Sequence, residues 1–197
     1  MATSDVEIVN MGLGMIGESS ITAMTDDSDR ARVANLFYDR YRDATLRSHF
    51  WNGAMKRAQL AKLAEAPTFG FANAHQLPSD FIRLRAVKSD PHYRLEGSKR
   101  LLSDQDPVNI LYVYRVTDPG DMGDLYSDAL ATRLASAFAG HFENPQYQDQ
   151  MWRLYIDKLQ YAQFIDSAEN QQDLLVSEGW TVTGREVLPA PFARTDI

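Results

Sequence analysis

Cysteine is absent from the 197 residues. That removes disulfide frameworks, thiolate nucleophiles and zinc-thiolate sites together, and it fits assembly in a reducing cytoplasm. No apolar run approaches the roughly 20 residues needed to span a bilayer, and the acidic opening lacks the basic stretch of a signal peptide. The expectation is a soluble protein with no membrane partner. Positive charge is also missing from residues 1–29, where Asp5, Glu7, Glu18, Asp26, Asp27 and Asp29 stand without a single Lys or Arg. Over the whole chain 27 acidic residues face 20 basic ones, and the net charge of -7 argues against a general nucleic-acid binder, which needs a basic footprint.

The compensating charge follows at once. Residues 30–62 carry eight Lys and Arg against Asp39 and Asp43, a local balance of +6. Such polarity suits head-to-tail contact between copies of one subunit, and it equally suits a solvated helix face. A chain of this length buries roughly 70% of its unfolded surface in one domain, so it folds without a metal or disulfide staple.

Residues 4–16 put Val6, Val9, Leu13 and Ile16 on one helical stripe, with Ser4 or Asp5 as cap. Gly12 and Gly14 in GLGMIG imitate a dinucleotide-binding loop, but that fingerprint needs a preceding strand, and here the glycines lie in or at the end of a helix. Thr25, Asp26, Asp27 and Ser28 offer N-caps for a long helix reaching about Ser48. Its inner stripe reads Val33, Ala34, Phe37, Tyr38, Tyr41, Ala44 and Thr45, with Arg42 among the charged residues of the opposite face.

Ala, Lys, Leu and Gln between Ala54 and Glu65 favour helix by propensity. Beyond Pro67 and Gly70 the chain reads as extended, and Ile82, Leu84 and Ala86 alternate with Arg83 and Arg85 as a strand. Residues 93–102 predict a hairpin turning at Glu96-Gly97-Ser98-Lys99, and Val108 to Val116 predict a strong strand. Asp121 is the expected cap of a helix whose stripe is Leu125, Ala129, Leu130, Leu134, Ala137, Phe138 and His141. Asn144 and Pro145 then open a last helix, with Tyr147, Met151, Leu154, Tyr155, Lys158, Leu159, Ala162 and Ile165 along one side. The three-residue link makes these two an antiparallel hairpin.

The expected fold class is therefore mainly α within α+β: an antiparallel helical bundle body (4–48 and 121–170) carrying a small protruding antiparallel sheet (about 50–118). Residues 1–171 form one domain, and 172–197 an extended arm in which Trp180, Val182, Arg185, Leu188 and Phe192 are the candidate partner-docking residues. No catalytic set emerges. The histidines are scattered, nucleophile elbows and phosphate loops are missing, and no cofactor or metal is implied. Carboxylate pairs such as Glu7 with Glu18, or Asp166 with Glu169, leave a cell-wall hydrolase as the alternative to a structural role, alongside another host-interaction module.

A succession of short motifs carries more. Ile16-Gly17-Glu18, Arg42-Asp43-Ala44-Thr45-Leu46, Phe50-Trp51-Asn52, Lys56-Arg57-Ala58-Gln59-Leu60, Phe69-Gly70-Phe71, Leu77-Pro78-Ser79-Asp80 and Leu111-Tyr112-Val113-Tyr114 follow one another in this order. Over about residues 5–170 the chain resembles the head-to-tail connector, or adaptor, proteins of short-tailed bacteriophages, also called tail tubular protein A or tail accessory factors. Gly53 stands where that family often has a bulky residue. The resemblance also implies extended backbone just after the tryptophan, against the propensity for helix there. It further implies a non-enzymatic virion protein, assembled in the host cytoplasm and seated at the neck. There it would form a twelve-copy ring beneath the portal protein, carry the next tail component or nozzle, and line a channel that genomic DNA crosses without sequence-specific binding.

Overall fold

The computed structural model describes residues 4–88, 92–97, 99–142 and 145–169. The docking residues Trp180, Val182, Arg185, Leu188 and Phe192, the rest of the 172–197 arm, and Asn144 lie outside the described residues.

Helix α1 (Asp5–Met15) starts where Ser4 and Glu7 close a capping box: Ser4 Oγ accepts the Glu7 amide at 3.2 Å, and the Ser4 amide donates to Glu7 Oε2 at 2.8 Å. Ser28 caps α2 (Asp29–Ser48) by accepting the Ala31 amide. Helix α3 (Asp124–His141) is the centre of the helical half, with Ala129, Leu130, Ala131, Leu134, Ala135, Phe138 and Ala139 all buried. Its alanines admit α1 so closely that a Cβ on Gly12 would come 2.9 Å from the Ala131 carbonyl oxygen. Helix α4 (Pro145–Glu169) returns antiparallel along α3, burying Met151, Tyr155 and Ala162. Asp121 is not the cap of α3: it sits inside a short 3-10 turn (Pro119–Met122) capped by Asp118, and Gly123, at φ 78, leads into the helix.

The sheet overturns the expectation of a helical bundle with a small insertion. Strands β1 (Met55–Lys62), β2 (Asn73–Gln76), β3 (Phe81–Val87), β4 (Tyr93–Glu96), β5 (Arg100–Ser103) and β6 (Val108–Tyr114) form one antiparallel sheet in the order β3-β6-β1-β2-β5-β4. It is nearly closed and barrel-like, while about half of the structure is helical. It has its own core of Leu60, Leu77, Leu101, Val108, Ile110 and Tyr112. Its other face adds Ile82 and Val113 to the helical core, beside Trp51, Leu130 and Phe138. The pivot is β1. Its sequence MKRAQLAK consists of good helix formers throughout, yet pairing with β6 from Met55↔Val113 to Leu60↔Val108 overrides that preference. β1 then turns over to β2 through Ala61↔Gln76 and Lys62↔His75, which joins the two halves of the sheet.

Arg42 also departs from its expected outer face. It is buried, because α2 lies between the sheet and α3 there, and it is matched by Asp39 at 2.9 Å and Asp43 at 3.0 Å. Its carbonyl accepts the buried Tyr126 hydroxyl at 3.2 Å, and burial pushes that phenol's pKa far up.

Candidate interaction surface

Among the described residues, one face of α4 is left uncovered. Helix α4 is apolar on more than one side, so α3 can cover only part of it. Tyr147, Leu154 and Tyr161 recur every seven residues and Phe164 follows three further on, which places them along one seam. They are 42%, 37%, 58% and 69% exposed, where isolated surface apolar residues would not line up. The stripe expected for this helix therefore splits. Met151, Tyr155 and Ala162 face α3, while Tyr147 and Leu154 belong to the outer seam. Trp152, Tyr161 and Phe164 were outside the expected stripe altogether. Three aromatic rings off the buried face of one helix were the signal that marked them.

One cation organises the rings on the other flank of this helix. Arg133 of α3 sits between rings from two other helices, with Cζ 4.2 Å from the Trp152 centroid, 4.5 Å from Tyr41 and 5.3 Å from Tyr155. Tyr41 in turn stacks flat on Phe37 at 5.4 Å. The guanidinium thus fixes a half-exposed aromatic ledge on the opposite flank of α4 from the seam, of the Arg, Tyr and Trp composition that anchors protein interfaces.

The charge polarity read from the sequence is met in part within the chain. Arg30 pairs with Glu18 at 2.8 Å, Arg32 reaches Asp27 at 3.9 Å, Lys56 holds Asp80 at 2.8 Å and Lys62 faces Asp106 at 3.7 Å. Acidic residues 1–29 therefore meet the basic stretch partly inside one subunit.

The carboxylates raised as a hydrolase pair have separate structural partners. Glu7 closes the α1 cap and Glu18 holds Arg30. Asp166 takes the Asn52 amide at 3.0 Å and lies 3.1 Å from His49 Nε2. His75 is fully buried, His92 lies near Asp104 and His141 near Asp29. Among the described residues no group of three or more His, Asp and Glu could hold a metal ion, and no helix is long and apolar enough to cross a membrane. A cleft of about 390 Å³ lies between the Glu65–Phe71 loop and the β4–β5 hairpin, with Arg94 and Arg100 on its wall. Gly12 and Gly14 lie within α1, without the strand that a dinucleotide loop requires.

No protein-family model matches the chain, and no curated protein sequence matches it.

Proposed function

We propose that this chain is a structural protein of a short-tailed bacteriophage virion, an adaptor ring between the portal and the tail. The observation that carries the reading is the outer seam of α4, with Tyr147, Leu154, Tyr161 and Phe164 aligned and exposed. A chain that works alone has no use for such a line of rings, whereas a subunit that tiles side by side buries it against the next copy. The ordered succession of connector-like motifs between residues 16 and 114 points the same way.

In this reading twelve copies close a ring, the portal protein and the next tail component occupy its two ends, and the genome passes through the lumen. Residues 172–197 act as a clasp, with Trp180, Val182, Leu188 and Phe192 as apolar anchors and Arg185 as a polar one. The test is assembly. Light scattering and electron microscopy of the purified full chain, alone and mixed with portal protein, yield a ring or a portal-bound collar. Deleting 172–197 leaves a folded monomer that does not assemble. A strict monomer that ignores portal, or normal assembly of the truncated chain, refutes the respective part.

A further inference from the structure

The acidic balance of the chain hides one face of opposite character. Phe50 follows α2, and two guanidiniums of β3 lie on its ring, Arg83 with Cζ 4.1 Å and Arg85 with Cζ 5.2 Å from the centroid. A third, Arg47, joins them through the backbone. Its Nη1 donates to the Ile82 carbonyl at 2.7 Å, and Arg83 Nη1 donates to the Arg47 carbonyl at 3.1 Å. Lys88 lies just beyond the end of β3, and Arg57 of β1 is level across the sheet, through Leu111 of β6, with Ala86 of β3, two residues before Lys88. Arg57 and Lys88 line one shallow groove there.

Among the described residues none of these five cations has a carboxylate within ion-pair distance, although acidic residues outnumber basic ones and Arg30, Arg42, Lys56 and Arg115 are all paired. Five like charges repel one another, so leaving them together and unpaired makes sense where an anion covers them. Stacking on Phe50 and anchoring to carbonyls hold the forks in place with N–H groups to spare, which lowers the entropy lost on binding.

The shape of the row selects the anion. From Arg83 to Lys88 an extended strand covers about 16 Å, a length along which duplex DNA presents roughly nine phosphate charges. A protein partner needs a buried apolar anchor at the centre of its footprint. None of the exposed large apolar residues is here, since they fall on α2, α3, α4, the Phe69 loop and β4. We infer that Arg47, Arg57, Arg83, Arg85 and Lys88 form a sequence-independent site for the sugar-phosphate backbone of double-stranded DNA. This goes beyond the adaptor reading, in which the genome passes through the lumen and no residue is assigned to it.

The test is fluorescence anisotropy of a short labelled DNA duplex with the full chain, titrated at several salt concentrations. Binding is expected in the micromolar range at about 50 mM salt, with a log–log salt slope of about -3 to -5. Arg85→Glu with Lys88→Glu touches no backbone hydrogen bond and should weaken binding at least tenfold. Arg47→Ala with Arg83→Ala, checked for folding by circular dichroism, should reduce the slope by about two. Arg94→Glu with Arg100→Glu, on the β4–β5 hairpin and outside the row, should change nothing. The inference is overturned if the wild-type chain does not bind at about 50 mM salt, if the patch variants bind as wild type does, or if the hairpin variant loses as much. It is likewise overturned if polyglutamate displaces the duplex at equal charge, which marks an acidic-protein site instead. Anisotropy reads DNA binding whether or not the chain forms rings, so failure here and failure of the adaptor reading are separate results.

Discussion

Asp166, one turn before the end of α4, and Asn52, directly after the Trp51 that anchors the helical core, hold each other by two routes. The Asp166 carboxylate accepts the Asn52 amide at 3.0 Å, and the Asn52 side chain donates to the Asp166 carbonyl at 2.7 Å. This clasp fixes the last helix to the point where chain leaves α2 for the sheet. The Asp166 side chain is only 16% exposed, so Asp166→Ala strips a partner from a partly buried amide. It should lower unfolding free energy by about 1–3 kcal/mol in urea titrations. Tyr161→Ser, on the exposed side of the same helix, should change it by less than about 0.5 kcal/mol.

Two glycines of one helix should respond with opposite signs. A Cβ on Gly12 meets the Ala131 carbonyl at 2.9 Å, whereas one on Gly14 meets nothing within 4 Å. Gly12→Ala therefore pushes α1 off α3 and should cost about 1–3 kcal/mol. Gly14→Ala relieves a flexible residue in a helix and should gain up to about 1 kcal/mol. Thermal melts of the two variants decide the matter.

Gly53 offers a sharper case. Its Cβ would fall 2.6 Å from the Asp121 carbonyl oxygen, a backbone atom that cannot swing aside. Gly53→Ala should separate the turn after Trp51 from the Pro119–Met122 turn and destabilise the protein by at least about 1 kcal/mol. The absence of a bulky residue after Trp51-Asn52 thus has a local steric cause.

Asp80 links stability to pH. Burial alone would raise its pKa, but hydrogen bonds from Lys56 Nζ at 2.8 Å and the Tyr112 hydroxyl at 3.0 Å outweigh it and hold the carboxyl below its usual value. A carboxylate lowered in the folded state stabilises above its unfolded pKa of about 4, and that contribution is lost as pH falls through the folded value. Asp80→Asn should be about 1–2 kcal/mol less stable at neutral pH, and the gap should close below about pH 4. A gap that widens on acidification would contradict the assignment.

The seam on α4 predicts a separation of assembly from stability. Tyr161→Ser with Phe164→Ser removes rings that are 58% and 69% exposed, so melting of the isolated chain should move little. Sedimentation or light scattering should nevertheless show loss of the oligomer. Arg133→Ala should weaken both, because its guanidinium also joins the Tyr41, Trp152 and Tyr155 rings.

The helices were legible because their signals are local. Ser4 and Ser28 cap where capping chemistry says they should, and the Glu96–Lys99 hairpin and the β6 alternation fall in place. The extent of the sheet was not. Its central strand β1 spells helix in every short window and becomes a strand only because β6, some fifty residues later, offers a ladder. β2, Asn73 to Gln76, has too few residues and too little β-propensity to announce itself. Arg42 was misplaced because the period of a helix shows which residues share a face, not how many neighbours surround it. The outer seam was missed, because Tyr147 and Leu154 were assigned to the same stripe as the buried Met151 and Tyr155, and Tyr161 and Phe164 to none. The cationic face was not, since Arg47, Arg57, Arg83, Arg85 and Lys88 come from three elements brought together only by the fold.

The most direct test of the adaptor reading is electron microscopy of purified phage particles in which this chain carries a label. The account predicts label only at the neck, in a ring between the portal vertex and the tail. Label elsewhere on the particle, or particles that lack the chain, would contradict it.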